Sequence, residues 1–357
     1  MTQRRLPTDF ARGNHYVPQS YFRRWSADGH KVWAYRVLVP HVDYPIWELR
    51  SIRGLAVRAH LYTSVAGGEE SDDVERWLQR EVEEPALPVL DRLCSGEPAK
   101  SLTANDRKRL ARYVAALWAR SPLYYEEHTR MMGDHLQSIL QPTMQRAITE
   151  LEGALKKGKP RPIPLTEGVR MSSLAVKVQR GPEGGSDPRL EANIVVGREM
   201  WLDSMKRIIN TLYVHLEKHQ WQVLRPPPRW TWFTTDHPLL RLNFESSEKY
   251  DFKGGFGSKG TDLVLPLSPE HLLHARIGHP PPEITELPPG TATQIKGCIA
   301  QNAFRWIVAD APAPKAEWFM PRVVSLEHYR AEEERFSRYH EEQSAAQREL
   351  ENPKDSL

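Results

Sequence analysis

Two short segments combine residue types capable of proton transfer with neighbours that would hold them still. The first is Asn14-His15-Tyr16-Val17-Pro18-Gln19, followed by Ser20-Tyr21-Phe22-Arg23-Arg24-Trp25. Imidazole exchanges protons near neutral pH, so His15 is a candidate general base or metal ligand. A core histidine with one satisfied hydrogen bond would have the same neighbours. The second is Thr234-Thr235-Asp236-His237-Pro238, directly after the aromatic run Trp230-Thr231-Trp232-Phe233. Proline restricts His237 to extended geometry, and a strand end is where a rigid sheet presents polar side chains to a cleft. Asp236 is then a candidate metal ligand or the carboxylate that orients a histidine, with His237 beside it as a further catalytic candidate. The same string also makes a good turn in which the aspartate caps backbone amides.

Other polar residues are candidates for binding rather than chemistry. His60 sits in AHLYTS, Arg120 closes a helical pattern before Ser121-Pro122, and Asn302 and Arg305 border a short apolar strand. Arg120 and Arg305 could clamp a phosphate or carboxylate, although an arginine at a helix end also complements the helix dipole. Arg23 and Arg24 would neutralise phosphate charge next to His15. His128 and His135 are seven residues apart, a poor spacing for chelation by one helix. No GxGxxG follows an expected strand, and GxxxxGK[ST], HExxH and GxSxG are missing, as is any paired-cysteine metal motif. The common nucleotide folds, metalloproteases and α/β-hydrolases therefore lose their signatures. No cofactor is specified, and a divalent metal is compatible with the His/Asp chemistry.

Charge is distributed more tellingly than its total of +3 suggests. Residues 1–60 carry ten basic and four acidic side chains, whereas residues 69–84 carry eight acidic and two basic ones. The basic segment could steer a polyanion such as nucleic acid, or the two patches could neutralise each other. No apolar run approaches the roughly 20 residues that cross a bilayer, and MTQRRLPTDF lacks the apolar stretch of a signal peptide. A cytoplasmic protein without membrane contact is expected. Cys94 and Cys298 are too few and too far apart for a disulfide framework.

Proline divides the chain into the elements that must position these residues. Four Pro/Gly-rich loops are expected at 153–168, 180–188, 225–229 and 278–290. Between them, Leu110, Tyr113, Val114, Leu117 and Trp118 form one helical stripe after a Thr103/Asp106 capping signal, with Pro122 ending or kinking the helix. Helical patterns also cover 131–142, 198–220 and 72–93, the last bent near Pro85 and Pro88, and 326–351 reads as a charged surface helix. Strands are expected at Lys31–Val37, Trp230–Thr235, Leu240–Phe244, Leu263–Leu267, His271–Ile277 and Arg305–Ala309, with Pro266 confining its strand to an edge or a bulge. The reading is an α+β fold: a central helical block packed on an antiparallel sheet built from N- and C-terminal strands. One composite domain would span 1–325, with 326–357 as a charged C-terminal helix and tail.

Read in order, these motifs resemble the family known as DUF4238. NHYVPQSYFRRWS is similar to its His-Tyr-Val-Pro-Gln opening. AHLYTS with the acidic helix behind it, LWARSP, FTTDHPLL, LPLSPEHLL and Asn302-Ala303-Phe304-Arg305 follow in the family's order over about 14–310. The family carries no established reaction to transfer. The resemblance does imply that the His15 and Asp236 motifs meet in space as one site. Where the family often has Ser-Asp-Asn-Pro this chain has Thr-Asp-His-Pro, which favours Asp236 over His237. The resulting expectation is an intracellular hydrolase, in its specific form a metal-dependent nuclease. His15 would be base or ligand and Asp236 metal ligand or carboxylate partner. The alternative is a non-catalytic binding or effector module in which the same residues hydrogen-bond the N-terminal segment to the sheet, its protein partner unspecified. On the catalytic reading, Asp236→Ala abolishes activity at unchanged stability; on the other, it costs stability.

Overall fold

The computed structural model describes residues 12–66, 69–156, 174–179, 189–246, 249–280 and 284–351. Its helices are α1 (Gln19–Phe22), α2 (Asp73–Leu78), α3 (Glu84–Cys94), α4 (Ala104–Ala119), α5 (Pro122–Lys156), α6 (Arg198–Leu216), α7 (Pro289–Gln301), α8 (Pro314–Phe319) and α9 (Leu326–Glu351). The fold is α+β, and its main sheets are antiparallel.

Helix α4 begins where its sequence says. The Thr103 hydroxyl accepts from the Asp106 amide while the Asp106 carboxylate accepts from the Thr103 amide, so two otherwise orphaned N–H groups are satisfied reciprocally. Its stripe, Leu110, Val114 and Leu117, is buried against α6, whose Trp201 indole donates to the Ala119 carbonyl at 3.2 Å. Each such buried side chain contributes about 1.5–3 kcal/mol. Pro122 opens α5, where a missing N–H costs nothing. Between α2 and α3 the chain widens into a π-helical stretch, Gln79–Glu83, immediately before Pro85. The wider turn accommodates the proline, which cannot donate and crowds the carbonyl four residues earlier.

Two sheets carry the strands. One joins both ends of the chain, in the order Thr234–Thr235, Trp306–Ala309, Lys31–Arg36, Glu48–Ser51. The other comes wholly from the later part, in the order Gln222–Leu224, His271–Arg276, Thr261–Ser268, Leu240–Ser246, Lys249–Asp251. Only Thr234 and Thr235 of the expected Trp230–Thr235 strand pair, because Trp232 and Phe233 turn into the core instead. Pro266 lies at a register shift, past Val264 where pairing with the Leu240–Ser246 strand ends, so the missing N–H deprives no neighbour. Leu174–Gln179 pairs with Arg189–Ile194, and the loop expected at 180–188 lies outside the described residues. Of the loop expected at 153–168, residues 153–156 instead continue α5, which runs past Pro142 to Lys156, and the rest lies outside the described residues.

Helix α9 does not simply float on the surface. Glu332, Tyr339, Ser344 and Gln347 are buried, and Glu332 receives both Arg36 from the first sheet and Arg305. No described helix is long and apolar enough to cross a membrane.

Candidate functional site

The His15 segment is held by a short strand, Gly13–His15, paired with Val57–Ala59. That pairing buries Asn14 and leaves His15 half-buried, with its Nε2 3.1 Å from the Arg53 carbonyl oxygen. Beneath it lies Arg120, 1% exposed, delivered by the C-terminal end of α4. Its guanidinium donates to the His15 carbonyl, to Glu83 on the π-helical stretch and to the Tyr62 hydroxyl at 3.2 Å. Asn14 accepts from the Tyr62 amide at 3.0 Å and its side chain also bonds Glu75 of α2. Thus the opening motif, the AHLYTS segment, the acidic helix and the LWARSP arginine converge on one place.

The electrostatics there are uneven. Burial, aided by the Arg120 charge, lowers the His15 pKa below its ordinary 6.5, against the pull of the Arg53 carbonyl and Glu83. Burial raises the Glu75 carboxyl to about 7, with Glu83 and Asp72 adding to the rise and Arg120 and Asn14 opposing it. Glu75 Oε2 is buried without a hydrogen-bond partner. A base that gives up its proton early and an acid that keeps its proton late therefore stand on neighbouring elements.

Asp236 occupies a different environment. It is fully buried and accepts the backbone amides of Phe304, Arg305 and Trp306 at 3.0–3.1 Å and the Tyr16 hydroxyl at 2.9 Å. Burial raises its pKa, and the Arg305 and Trp306 amides and Tyr16 work against the rise. The residue that links the two motifs is thus Tyr16, with His15 turned toward Arg53. Asn302 donates to the carbonyl oxygens of His237 and Leu239, and Arg305 pairs with Glu332 at 2.7 Å and with Glu333. Arg23 is exposed, while Arg24 pairs with Asp91 at 2.7 Å. Arg120–Glu83 joins the end of α4 to the acidic stretch, whereas Arg24 reaches past that stretch to Asp91 on α3.

His237 is buried with Nδ1 unpartnered, and burial with the Arg241 charge pushes its pKa down to about 4. The unfolded chain takes up a proton near 6.5 and the folded chain only near 4. Stability from this residue is therefore complete above pH 6.5 and is lost as pH falls toward 4, by about 3 kcal/mol in all. Urea midpoints measured from pH 7.5 to 4 are expected to slope down in that window, and His237→Gln should flatten the slope; an unchanged slope would refute the assignment.

Among the described residues one trio has the spacing of metal ligands: His60, Glu70 and His340, with ligand atoms all within 4.8 Å. His340 Nε2 lies 2.9 Å from Glu70 Oε1, and the two imidazoles stack at 3.7 Å and 17°. His60 itself has a positive φ of 53°, and its Nδ1 is 3.1 Å from the Thr63 hydroxyl. Arg198 donates to His340 Nδ1 at 3.1 Å. A guanidinium can only donate, so this Nδ1 accepts and Nε2–H is left for Glu70. A metal on Nε2 would need the rings to unstack and the ring proton to move against Arg198. The trio could hold a divalent ion after that rearrangement; as it stands it is a hydrogen-bonded relay tying α9 to the His60 turn.

Residue types alone missed Asn14, Glu75, Glu83 and Glu332. The eight acids of 69–84 were the only signal for Glu75 and Glu83, and charge counting did not separate Asp72, Glu75 and Glu83, which are buried or half-buried, from those that face water.

The structure defines an α+β protein whose N- and C-terminal strands are locked by a buried carboxylate and whose opening motif lies over a buried arginine. A family model described as "Protein of unknown function (DUF4238)" matches residues 14–312, and the chain belongs to that family. No curated protein and no solved structure matches it.

Proposed function

We propose that the protein is a hydrolase whose proton-transfer groups are His15 and Glu75, standing over the Arg120–Glu83 pair, with an anionic, phosphate-bearing substrate such as nucleic acid. The observation that carries this reading is the convergence of the His15 strand and Glu75 at the buried Arg120–Glu83 pair, with the neighbouring Asn14 bonding Glu75. Burial there lowers the His15 pKa below 6.5 and raises that of Glu75 to about 7. Near neutrality His15 is then free to take a proton from water while Glu75 keeps one for the leaving oxygen. The unpartnered Glu75 Oε2 supports a role toward a substrate atom. Exposed Arg12, Arg23 and Arg53 on the same N-terminal segment favour a phosphate-bearing substrate. Arg120 holds the His15 carbonyl and the Glu83 carboxylate, and its charge acts on Glu75 from nearby.

The test is hydrolysis of labelled single- and double-stranded DNA and RNA and of simple phosphoesters, with and without magnesium, manganese or zinc. Glu75→Gln and His15→Ala are expected to lose about 10²–10⁴-fold in rate, with unfolding midpoints close to that of the parent chain. Neutral His15 is needed above its lowered pKa and protonated Glu75 below about 7, so activity should form a bell with its alkaline limb near pH 7. Glu75→Gln should abolish that limb. Full activity in both variants would overturn the proposal.

A second reading, a binding module, is favoured by one specific observation: Asp236, Arg120 and Arg305 all spend their polar groups on internal partners. It gains if the parent chain hydrolyses none of these substrates and yet binds labelled nucleic acid.

A further inference from the structure

The four-stranded sheet ends, among the described residues, at the strand Glu48–Ser51, whose outer edge has no neighbour. The Ile52 amide donates to the His30 carbonyl in register with the pairs Lys31 with Ser51 and Val32 with Arg50. In an antiparallel ladder hydrogen-bonded and non-bonded pairs alternate. Glu48 and Arg50 therefore turn their backbone groups inward to the Lys31–Arg36 strand, and Leu49 and Ser51 turn theirs outward. An open row of donors and acceptors is a template for another strand.

The sequence of this edge is self-complementary. Glu48 and Arg50 lie on one face of the strand, 3.2 Å apart as an ion pair, and flank Leu49, which is 51% exposed. If a second copy pairs antiparallel about a two-fold axis through Leu49, the two Leu49 residues form a hydrogen-bonded pair. Glu48 of each copy then faces Arg50 of the other in the closer, non-bonded positions. The same axis gathers exposed apolar surface. Val42 and Ile46 precede the edge strand, and Trp318, 78% exposed, is brought beside them. Trp47 bonds Glu317 at 2.9 Å and Arg322 bonds the carbonyl oxygens of Val42 and Tyr44. Exposed apolar side chains grouped in this way mark an interaction surface.

We propose that the protein forms a two-fold symmetric dimer through antiparallel pairing of the Glu48–Ser51 edges, with Val42, Ile46 and Trp318 widening the contact. The two-fold makes the interface self-matching, so both ion pairs form at once.

Sedimentation equilibrium on the full chain tests this with charge swaps. The parent chain is expected to be a dimer. Glu48→Arg alone sets two arginines opposite each other, and Arg50→Glu alone sets two glutamates, and each should weaken association more than about tenfold. The double swap, E48R/R50E, restores both pairs and should restore the dimer. The ion pair inside one copy is lost in the single variants too, but its loss does not alter mass, so circular dichroism and mass together separate misfolding from dissociation. A monomeric parent chain, or folded single variants that remain dimeric, would overturn the proposal, and so would a double swap that stays monomeric while folded.

Discussion

Replacing Asp236 with alanine is expected to destabilise the protein by about 3–5 kcal/mol, read as a lower urea midpoint at constant slope. Three backbone amides and the Tyr16 hydroxyl converge on this carboxylate in a site from which water is excluded. Alanine leaves the Arg305 and Trp306 amides and the Tyr16 hydroxyl buried without this partner and the Phe304 amide part-buried, and each unsatisfied buried group costs about 1–3 kcal/mol before relaxation. An asparagine side chain keeps the shape but turns an acceptor into a donor among donors, so Asp236→Asn should also be costly. Tyr16→Phe removes one donor with its acceptor still served by amides and should cost about 1 kcal/mol. If Asp236→Ala leaves the midpoint unmoved, Asp236 has no structural load and the catalytic expectation for it returns.

The second large effect is expected at Glu332. This one carboxylate receives Arg36, whose side chain is 1% exposed, and Arg305, with Glu333 as a half-exposed auxiliary. Glu332→Ala leaves two guanidinium groups, Arg36 over Trp306 and Arg305 over Phe336, with half-exposed Glu333 as their remaining carboxylate. A broken buried pair of this kind costs about 3–5 kcal/mol. Because the lost partner lies on α9, the loss should appear first as faster amide hydrogen exchange along Leu326–Glu351, ahead of the sheet. Uniformly unchanged exchange in α9 would show that the helix is held by other contacts. We propose that residues 326–351 stand or fall with the 14–312 family region, and this measurement decides whether they do.

How far the sequence reveals this structure can be followed residue by residue. The stripe from Leu110 to Trp118 and the Thr103/Asp106 cap are local signals, and α4 follows them. Pro266 announces its bulge for the same reason: the missing N–H is a property of one residue. The Trp230–Thr235 strand is mostly absent because aromatic richness marks burial as much as pairing, and Trp232 and Phe233 are buried without a ladder. The site was harder still. His15 and Arg120 stand out by residue type, but Glu75 is one acid among eight in its stretch. Its significance comes from a neighbour 45 positions away in the chain, Arg120, and from the π-helical turn that swings Glu83 to the same guanidinium. Asp236 and the opening motif do converge, through Tyr16 at a sequence distance of 220, a pairing that no local pattern encodes.

The order of strands in the first sheet has a consequence for synthesis. Lys31–Arg36 is made early, yet its central neighbour, Trp306–Ala309, is made some 270 residues later. At roughly 5–20 residues per second the nascent strand waits on the order of 15–55 s for its partner. Throughout that interval Val32, Ala34 and Tyr35, all buried in the finished protein, have the Glu48–Ser51 strand as their one ladder partner. Synthesis of residues 306–309, rather than emergence of the N-terminal region, therefore sets when this sheet can close, and premature termination before residue 306 should yield aggregation-prone fragments instead of a folded N-terminal half.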